Sequence, residues 1–328
     1  MNRSYRLVIV TVLFLSAVGA GSLFAAIPAP AQERLFATPE EARDALVAAV
    51  KAKDQAALTA IFGPEREKLM SGDAVEDNNA LEHFGAELEK AATLEKVDEN
   101  KYTLKAGDEH WPMPIPIVKQ DNQWRFDTAA GEEEILNRRI GRNELSTIGS
   151  CRAYALAQWE YFSEAPDICR DGLAVYAQKF ISTPGKKDGL YWATTTDQEP
   201  SPLGSSIAEA RAEGYGVGKS ASVISAIAKP KRLPYHGYYY KILTRQGPHA
   251  PGGKFSYLIN GNMIAGYALI AYPDKWGSSG IQTFIINQQG RVYEKNLGPQ
   301  TEQIAAGITE YDPDLSWKLV TESKSASN

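Results

Sequence analysis

The fold is decided by residues 234–272, PYHGYYYKILTRQGPHAPGGKFSYLINGNMIAGYALIAY. Aromatic and β-branched residues alternate along this stretch, and glycine-rich turns separate the runs. That pattern is typical of antiparallel β-strands joined by short loops. It continues as far as Tyr293, so we expect a further pair of strands there.

The first strand of this stretch presents different side chains on its two faces. Because side chains alternate along a strand, Tyr238 and Tyr240 share one face, whereas Tyr239 and Lys241 share the other. We expect one face to pack under a long helix. The irregular segment 171–233, which is rich in Gly, Pro and Ser, is expected to cover the other face.

A long helical segment precedes these strands and runs from Glu132 to about Ser163. Its apolar residues recur at helical spacing, although they form a broad face and not one straight stripe. Gly141 and Gly149 interrupt it, each at a cost of about 1 kcal/mol relative to alanine. We expect this helix to connect two domains and to pack against the second one.

The first part of the chain predicts helices followed by strands. Residues 38–41, TPEE, combine a capping box with a proline in the first helical turn, and further helical stretches follow. Strand-like runs then occupy 94–127, with a turn between the last two. We therefore predict an α+β domain over 36–130, a second domain over 131–320 with a long helix on an antiparallel sheet, and a disordered tail over 321–328.

Two stretches of the sequence resemble parts of known folds. The phrase MPIPIVKQDNQWRFD (113–127) resembles the final hairpin of NTF2-like (nuclear transport factor 2-like) or cystatin-like domains, which implies helices packed into a curved sheet. RRIGRNELSTIGSCRAYALAQWEYF (138–162), followed by GYYYKIL and GYALIAYP, resembles the globular head of type IV pilin-like proteins. That second resemblance implies a long helix laid across an antiparallel sheet.

A more specific resemblance spans nearly the whole mature chain. It is carried by GKKDGLYW (185–192), EPSPLG (199–204), GIQTFIINQQGRVYEKNLG (280–298) and PDLSW (313–317), together with the strand region quoted above. These segments are similar to a bacterial secreted domain-of-unknown-function family, family 2950. The resemblance implies an envelope protein without an assigned activity.

The N-terminus predicts export from the cytoplasm. Arg3 and Arg6 precede an apolar run over 7–26, and Ala29 and Ala31 supply an A-x-A cleavage pattern. We predict a signal peptide over residues 1–31 and a periplasmic or secreted mature protein. An uncleaved membrane anchor is the alternative, since about 20 apolar residues are just long enough to span a bilayer.

Cys151 and Cys169 are the only cysteines in the chain. In an oxidising compartment such a pair is expected to form a disulfide, which would stabilise the protein by about 3 kcal/mol in the chain-entropy model. The alternative is two buried thiols.

Composition and motifs exclude several classes of function. With 35 Lys+Arg against 40 Asp+Glu, the formal net charge of −5 offers no basic field for a nucleic-acid backbone. Residues 213–220, EGYGVGKS, resemble the phosphate-binding pattern G-x-x-x-x-G-K-[ST]. However, Glu213 stands where that pattern needs its first glycine. His236 and His249 lack a third ligand at metal-binding spacing, and no serine or cysteine nucleophile motif occurs. We therefore predict no metal, no cofactor and no catalytic residue.

A ligand-binding pocket is the remaining hypothesis for function. Tyrosine combines an apolar ring with a polar tip, which suits a protein core as well as carbohydrate or peptide binding. We predict a noncatalytic binding or assembly module whose partner is an envelope protein or a glycan. The alternative is an envelope hydrolase with a pocket near Tyr191, Trp192, His236 and Tyr272. The predicted ligand-binding residues are Tyr191, Trp192, Tyr235, His236, Tyr238 and Tyr272.

Overall fold

The structure is a computed structural model that describes residues 33–168, 172–195, 197–213, 215 and 234–321. The predicted signal peptide, Cys169 and nearly all of the predicted tail lie outside these residues. The predictions made for them therefore stay predictions.

Helices come first in the described chain, as the sequence predicts. They are α1 (Pro39–Lys51), α2 (Gln55–Phe62), α3 (Arg66–Leu69) and α4 (Ala74–Lys90). The Thr38 hydroxyl accepts the backbone N–H of Glu41, in the first turn of α1, at 3.1 Å. Asp54 and Asp73 cap α2 and α4 in the same way. Each cap satisfies donors that a helix start otherwise leaves unpaired.

An antiparallel sheet follows these helices. Its strands are β1 (Ala92–Asp98), β2 (Lys101–Ala106), β3 (Trp111–Pro112), β4 (Ile117–Gln120) and β5 (Gln123–Phe126). The order is β1-β2-β4-β5, and β3 pairs with β2. Asp121 and Asn122 form the two-residue turn between β4 and β5 with positive φ values of 50° and 62°. Asp and Asn tolerate this left-handed region better than other non-glycine residues do.

The helices and this sheet enclose one hydrophobic cluster. Leu46 of α1, Ile61 of α2, Leu104 of β2 and Phe126 of β5 are all fully buried in it. Ile135, near the start of the next helix, packs against its edge. Burial of apolar surface on this scale is the main stabilising contribution to the first part of the chain.

The long helix α5 (Thr128–Ile168) extends beyond both predicted ends. Its first turns pack on the cluster described above, whereas Cys151 and Tyr154 belong to a second hydrophobic cluster. One continuous helix therefore contributes to both clusters. Helix α6 (Gly204–Ala212) follows it after an irregular segment.

A second antiparallel sheet occupies the last part of the chain. Its strand order is β14-β13-β12-β11-β6. The strands are β6 (Tyr238–Leu243), β11 (Ala268–Pro273), β12 (Gln282–Asn287), β13 (Tyr293–Asn296) and β14 (Lys318–Leu319). The short pairs β7 (Arg245–Gln246) with β8 (Phe255–Ser256) and β9 (Leu258–Ile259) with β10 (Asn262–Met263), and helix α7 (Thr301–Gly307), complete the described elements.

Helix α5 packs on one face of this sheet, as predicted. The Tyr154 hydroxyl on α5 donates to the Ala268 carbonyl at 3.3 Å, and the Tyr267 hydroxyl donates to the Ala155 carbonyl at 3.0 Å. The irregular segment was predicted to cover the opposite face, and because its residues 216–233 lie outside the described residues, this stays a prediction. Helix α7 packs there against β11, and Lys241 donates to the Ala305 carbonyl at 2.8 Å.

The thiol of Cys151 is fully buried in the second cluster, and burial raises its pKa to about 12. It has no disulfide partner among the residues that the structure describes. Because Cys169 lies outside them, the disulfide stays a prediction.

Helices combined with antiparallel sheets confirm the predicted α+β class. Within the described ranges, no helix has the length and apolar character that crossing a membrane requires.

Candidate functional site

A cavity of about 410 Å³ lies where the middle of α5 meets α6 and the start of β6. Its walls are rich in aromatic side chains. The aromatic residues that line it are Tyr154, Phe180, Tyr215, Tyr235, Tyr238, Tyr239 and Tyr240. Apolar side chains such as Leu203, Ile207 and Leu269 fill much of the remaining wall.

Small residues on α5 provide the space for this cavity. Ser146, Gly149, Ser150 and Ala153 all line it, and they recur at intervals of three or four residues along one side of the helix. Large side chains at these positions would fill the cavity with their own atoms. Tyr238 and Tyr240 of β6 stand opposite, because alternate residues of a strand project from the same face.

Few charged groups border the cavity. Glu209 and His236 are the only ionisable lining residues other than tyrosine in the described chain, and neither lysine nor arginine occurs among the described lining residues. Three serines, at 146, 150 and 206, add hydroxyl groups. The described lining residues therefore offer hydrogen-bond donors and acceptors, and none of them carries a fixed positive charge for an anionic ligand.

The tyrosines of the site remain neutral phenols at ordinary pH. Burial, followed by the nearby carboxylates of Glu213 and Glu209, raises the pKa of Tyr235 to about 12. Burial also raises the pKa of Tyr240, whose hydroxyl lies 3.5 Å from the Thr147 hydroxyl on α5. Desolvation disfavours the phenolate, so these hydroxyls keep a proton that they can donate.

His236 lies at one end of the cavity in a sterically demanding turn. Its backbone φ is 47° and that of Gly237 is 71°, both in the left-handed region. A side chain at Gly237 would bring a Cβ atom to 2.8 Å from the Ser279 Cβ and 2.9 Å from the Asn143 amide nitrogen. The turn therefore requires glycine after His236, and it fixes where the imidazole points.

The imidazole of His236 belongs to a cluster of acids and aromatic rings. Its Nε2 atom lies 3.2 Å from the Glu213 carboxylate, although that oxygen has no well-directed hydrogen bond in the described chain. We therefore treat the contact as an ion pair that forms when His236 is protonated. Tyr215 stacks edge-on against His236 and donates to Asp73, the cap of α4, at 3.0 Å. The cluster thus connects the cavity to the start of α4, in the first part of the chain.

Burial lowers the pKa of His236, and the carboxylates of Glu213 and Asp73 oppose that shift only in part. The environment of His249 is the reverse. Its Nδ1 atom lies 2.9 Å from the Asp312 carboxylate at an exposed position, and this hydrogen bond raises its pKa.

The two histidines should therefore change stability in opposite directions with pH. In the folded protein the pKa of His236 is lower than the unfolded value of about 6.5. Neutral His236 therefore stabilises the folded state at higher pH, and this stability is lost as the pH falls through 6.5. For His249, the raised folded pKa gives stability that is present below 6.5 and is lost as the pH rises through the folded pKa. We expect His236→Asn to weaken the loss of stability between pH 7 and pH 5, and His249→Gln to strengthen it. Urea unfolding at several pH values measures both, and shifts of the same sign in the two variants would contradict this assignment.

Half of the predicted ligand-binding residues line the cavity. These are Tyr235, His236 and Tyr238. Their neighbours in the wall, Ser146 and Ala153 of α5, were not predicted. Their sequence signal is a row of small residues along one side of α5, which becomes informative only when the residues that face it are known.

The other predicted residues lie elsewhere. Tyr191 is buried against Ile207 of α6. Ile207 lines the cavity, whereas Tyr191 is not among the lining residues. Trp192 packs edge-on against Tyr161, with ring centroids 6.5 Å apart. Tyr272 pairs with Tyr239 across β11 and β6, with centroids 5.7 Å apart. The structure therefore does not bring these three into the cavity wall.

No group of three or more His, Cys, Asp or Glu side chains in the described ranges is arranged to hold a metal ion. The described groups that can form hydrogen bonds in the cavity are the hydroxyl groups of its serines and tyrosines, the Glu209 carboxylate and the His236 imidazole.

The fold and the cavity define an α+β protein with an aromatic-lined site between a long helix and an antiparallel sheet. The chain belongs to the family described as "Protein of unknown function (DUF2950)", whose profile matches residues 33–320. This match confirms the resemblance that the sequence segments indicated. Comparison with curated proteins and with solved structures gave no match, so the NTF2-like and pilin-like resemblances stay predictions.

Proposed function

We propose that the protein is an exported, noncatalytic binding module that takes a short uncharged glycan in the aromatic-lined cavity. One observation carries the proposal. Seven aromatic side chains, several serine hydroxyls and one carboxylate surround a volume of about 410 Å³. Ligand sites in proteins are commonly apolar clefts of about 300–1,000 Å³ with a few placed polar groups.

The chemistry of the wall favours a sugar over other small molecules. Sugar rings have C–H faces that pack on aromatic rings and hydroxyl edges that need hydrogen-bond partners. Tyrosine serves both needs, because its ring is apolar and its hydroxyl stays protonated here. Glu209 supplies a strong acceptor for sugar hydroxyls at the same wall.

The charge of the wall favours a neutral ligand. An anionic ligand would meet the carboxylate of Glu209 without a lysine or arginine among the described lining residues to offset it. His236 does not supply a reliable positive charge, since burial lowers its pKa.

Export is supported by the first residues of the chain. The apolar run over 7–26 follows two arginines and precedes an A-x-A pattern, which is the arrangement of a signal peptide. A glycan is a ligand class that an exported protein meets outside the cytoplasm.

The hydrolase hypothesis has less support. It required Tyr191, Trp192, His236 and Tyr272 to share one pocket, and only His236 lines the cavity. Within the described chain, the His236 imidazole lies against the Glu213 carboxylate and the rings of Tyr215 and Tyr235.

Filling the cavity should abolish ligand binding without removing any polar group. Ala153 lines the cavity from α5, so Ala153→Phe is expected to place a ring in the space that a sugar would occupy. We expect neutral disaccharides, tested as diacetylchitobiose, cellobiose and maltose, to include at least one that stabilises the native chain from residue 32. At one hundred times its dissociation constant, such a ligand adds about 2.7 kcal/mol. Thermal unfolding with and without each sugar measures this, and Ala153→Phe should show no such gain.

The matched control is Ala130→Phe, because Ala130 is an exposed alanine near the start of the same helix. It should respond to the sugar as the native protein does. The proposal is wrong if none of the three sugars stabilises the native protein, or if Ala153→Phe keeps the full response.

A further inference from the structure

Three apolar side chains of α5 point into solvent. Leu145, Leu156 and Trp159 are 70%, 71% and 51% exposed, respectively. The opposite side of the helix is buried on the second sheet, so its outer side would be expected to carry polar residues. Part of the Trp159 ring packs edge-on against Phe162 and Tyr176, whereas no packing within the described chain accounts for the exposed surface of Leu145 and Leu156.

The exposed positions of α5 follow one strict spacing. From 138 to 163 they are separated alternately by four and three residues, and Glu160 is the only other exposed position in that range. The exposed set is Arg138, Arg142, Leu145, Gly149, Arg152, Leu156, Trp159 and Ser163. This spacing is the period of one side of a helix, and it places the eight positions in a single row that a second helix could pack along. We refer to this set as the outer stripe.

We propose that the outer stripe packs in antiparallel orientation against the outer stripe of a second copy of this chain. In the register that we propose, Leu145 lies opposite Leu156 of the second copy, and Arg142 lies opposite Trp159. Each of these two residue pairs occurs twice in the dimer. A two-fold axis that passes between residues 150 and 151 of the two helices relates the copies. A two-fold interface uses the same surface on both copies, and this stripe is complementary to itself.

The charges of the stripe select this orientation over the parallel one. Antiparallel pairing places the guanidinium group of Arg142 over the indole ring of Trp159, which is a favourable cation–π arrangement. Parallel pairing would instead place Arg142 against Arg142 and Arg152 against Arg152. Repulsion between these like charges disfavours it.

Gly149 fits this interface and is not required inside the protein. A Cβ atom added there would meet no atom within 4 Å, yet glycine within a helix costs about 1 kcal/mol relative to alanine. In the proposed register it lies opposite Arg152 of the second copy, where the missing side chain leaves room for the longer one. Gly149 also borders the cavity, so the second copy would lie beside the cavity.

The interface should be weak. The segment from 142 to 159 spans about 27 Å of helix at roughly 1.5 Å per residue, and one such stripe buries less than the roughly 1,200 Å² of a standard stable interface. We expect an equilibrium between monomer and dimer at concentrations of about 100 µM. A membrane surface is a poorer fit, because three apolar residues flanked by Glu160 make a narrow stripe and the chain carries a net charge of −5.

Disulfide cross-linking of two single variants tests the orientation. Leu145→Cys and Leu156→Cys should cross-link when mixed in equal amounts at about 100 µM, since the two positions face each other. Each variant alone should cross-link no more than the native protein, because like positions lie roughly 16 Å apart along the axis, beyond disulfide reach. Cross-linking of each variant with itself to the same extent, or none above the native level in the mixture, would overturn the proposal.

Sedimentation measures the strength of the same contact. Leu156→Glu should weaken self-association at least about tenfold, since it places an unpaired charge in each symmetric layer. Leu315→Glu is the control, because Leu315 is a fully exposed leucine that lies outside α5, between α7 and β14. Unchanged self-association of Leu156→Glu would contradict the proposal. The proposal would also be contradicted if the native protein stayed monomeric and co-sedimented with anionic vesicles, and if Leu156→Glu abolished that co-sedimentation.

Discussion

Replacement of Gln158 by leucine is expected to destabilise the protein by about 3–5 kcal/mol. Gln158 is fully buried on α5 and makes three hydrogen bonds at once. Its amide nitrogen donates to the Tyr154 hydroxyl at 2.9 Å and to the Ala177 carbonyl at 2.8 Å, and its amide oxygen accepts from the Ala177 N–H at 2.9 Å. Leucine would leave both backbone groups of Ala177 buried without partners, which is the costly way to lose a hydrogen bond.

Denaturant unfolding of the native and variant proteins measures this loss. Gln178→Leu is a close control, because Gln178 is an exposed glutamine with one hydrogen bond, to the Gly261 carbonyl at 2.8 Å. It should change stability by less than about 0.5 kcal/mol. Equal effects of the two substitutions would show that the Gln158 hydrogen bonds do not anchor this segment to α5.

The second large effect is expected from Gly280→Ala. A Cβ atom at this position would lie 2.0 Å from the Tyr238 hydroxyl oxygen and 2.5 Å from the ring carbon that carries it. Tyr238 cannot move aside easily, since it is fully buried and donates to the Gln282 carbonyl at 2.9 Å. Overpacking of a rigid core typically costs about 1–3 kcal/mol, and loss of the tyrosine hydrogen bond adds to that cost.

Gly141→Ala provides the matched control for this substitution. Gly141 lies within α5, and a Cβ atom there would meet nothing within 4 Å. Alanine should stabilise the helix by up to about 1 kcal/mol at that position. Thermal unfolding compares the two variants directly. A Gly280→Ala protein as stable as the native one would mean that Tyr238 does not occupy the position described here.

Local sequence patterns predicted much of the fold. Alternation of aromatic and branched residues located β6 and β11, and helical spacing located α5, because each of these patterns reflects one element packed on one neighbour. The boundaries were less accurate, as the extension of α5 to Thr128 and Ile168 shows. Helix α7 was missed since its seven residues, TEQIAAG, are too few to show a helical repeat.

The candidate site was predicted only in part. His236 and its tyrosine neighbours were identified because they are close together in the sequence, in β6 and in the turn just before it. Ser146 and Ala153 were missed, since their small size becomes informative only when the residues facing them are known. Tyr191 was assigned to the pocket because the loop that carries it was expected to lie near His236, yet Tyr191 packs against Ile207 and does not line the cavity. Long-range packing determines these contacts, and local sequence patterns do not encode it.

A crystal structure of the chain from residue 32, soaked with the disaccharide that stabilises it most, is the most direct test of the proposed site. We expect electron density for the sugar between α5 and β6, with a sugar ring against Tyr235 or Tyr240 and a sugar hydroxyl within hydrogen-bonding distance of Glu209. The sugar should fill the cavity in the native protein and be absent from it in Ala153→Phe. Density for the sugar at another surface, with the cavity empty in the native protein, would contradict the proposed glycan site.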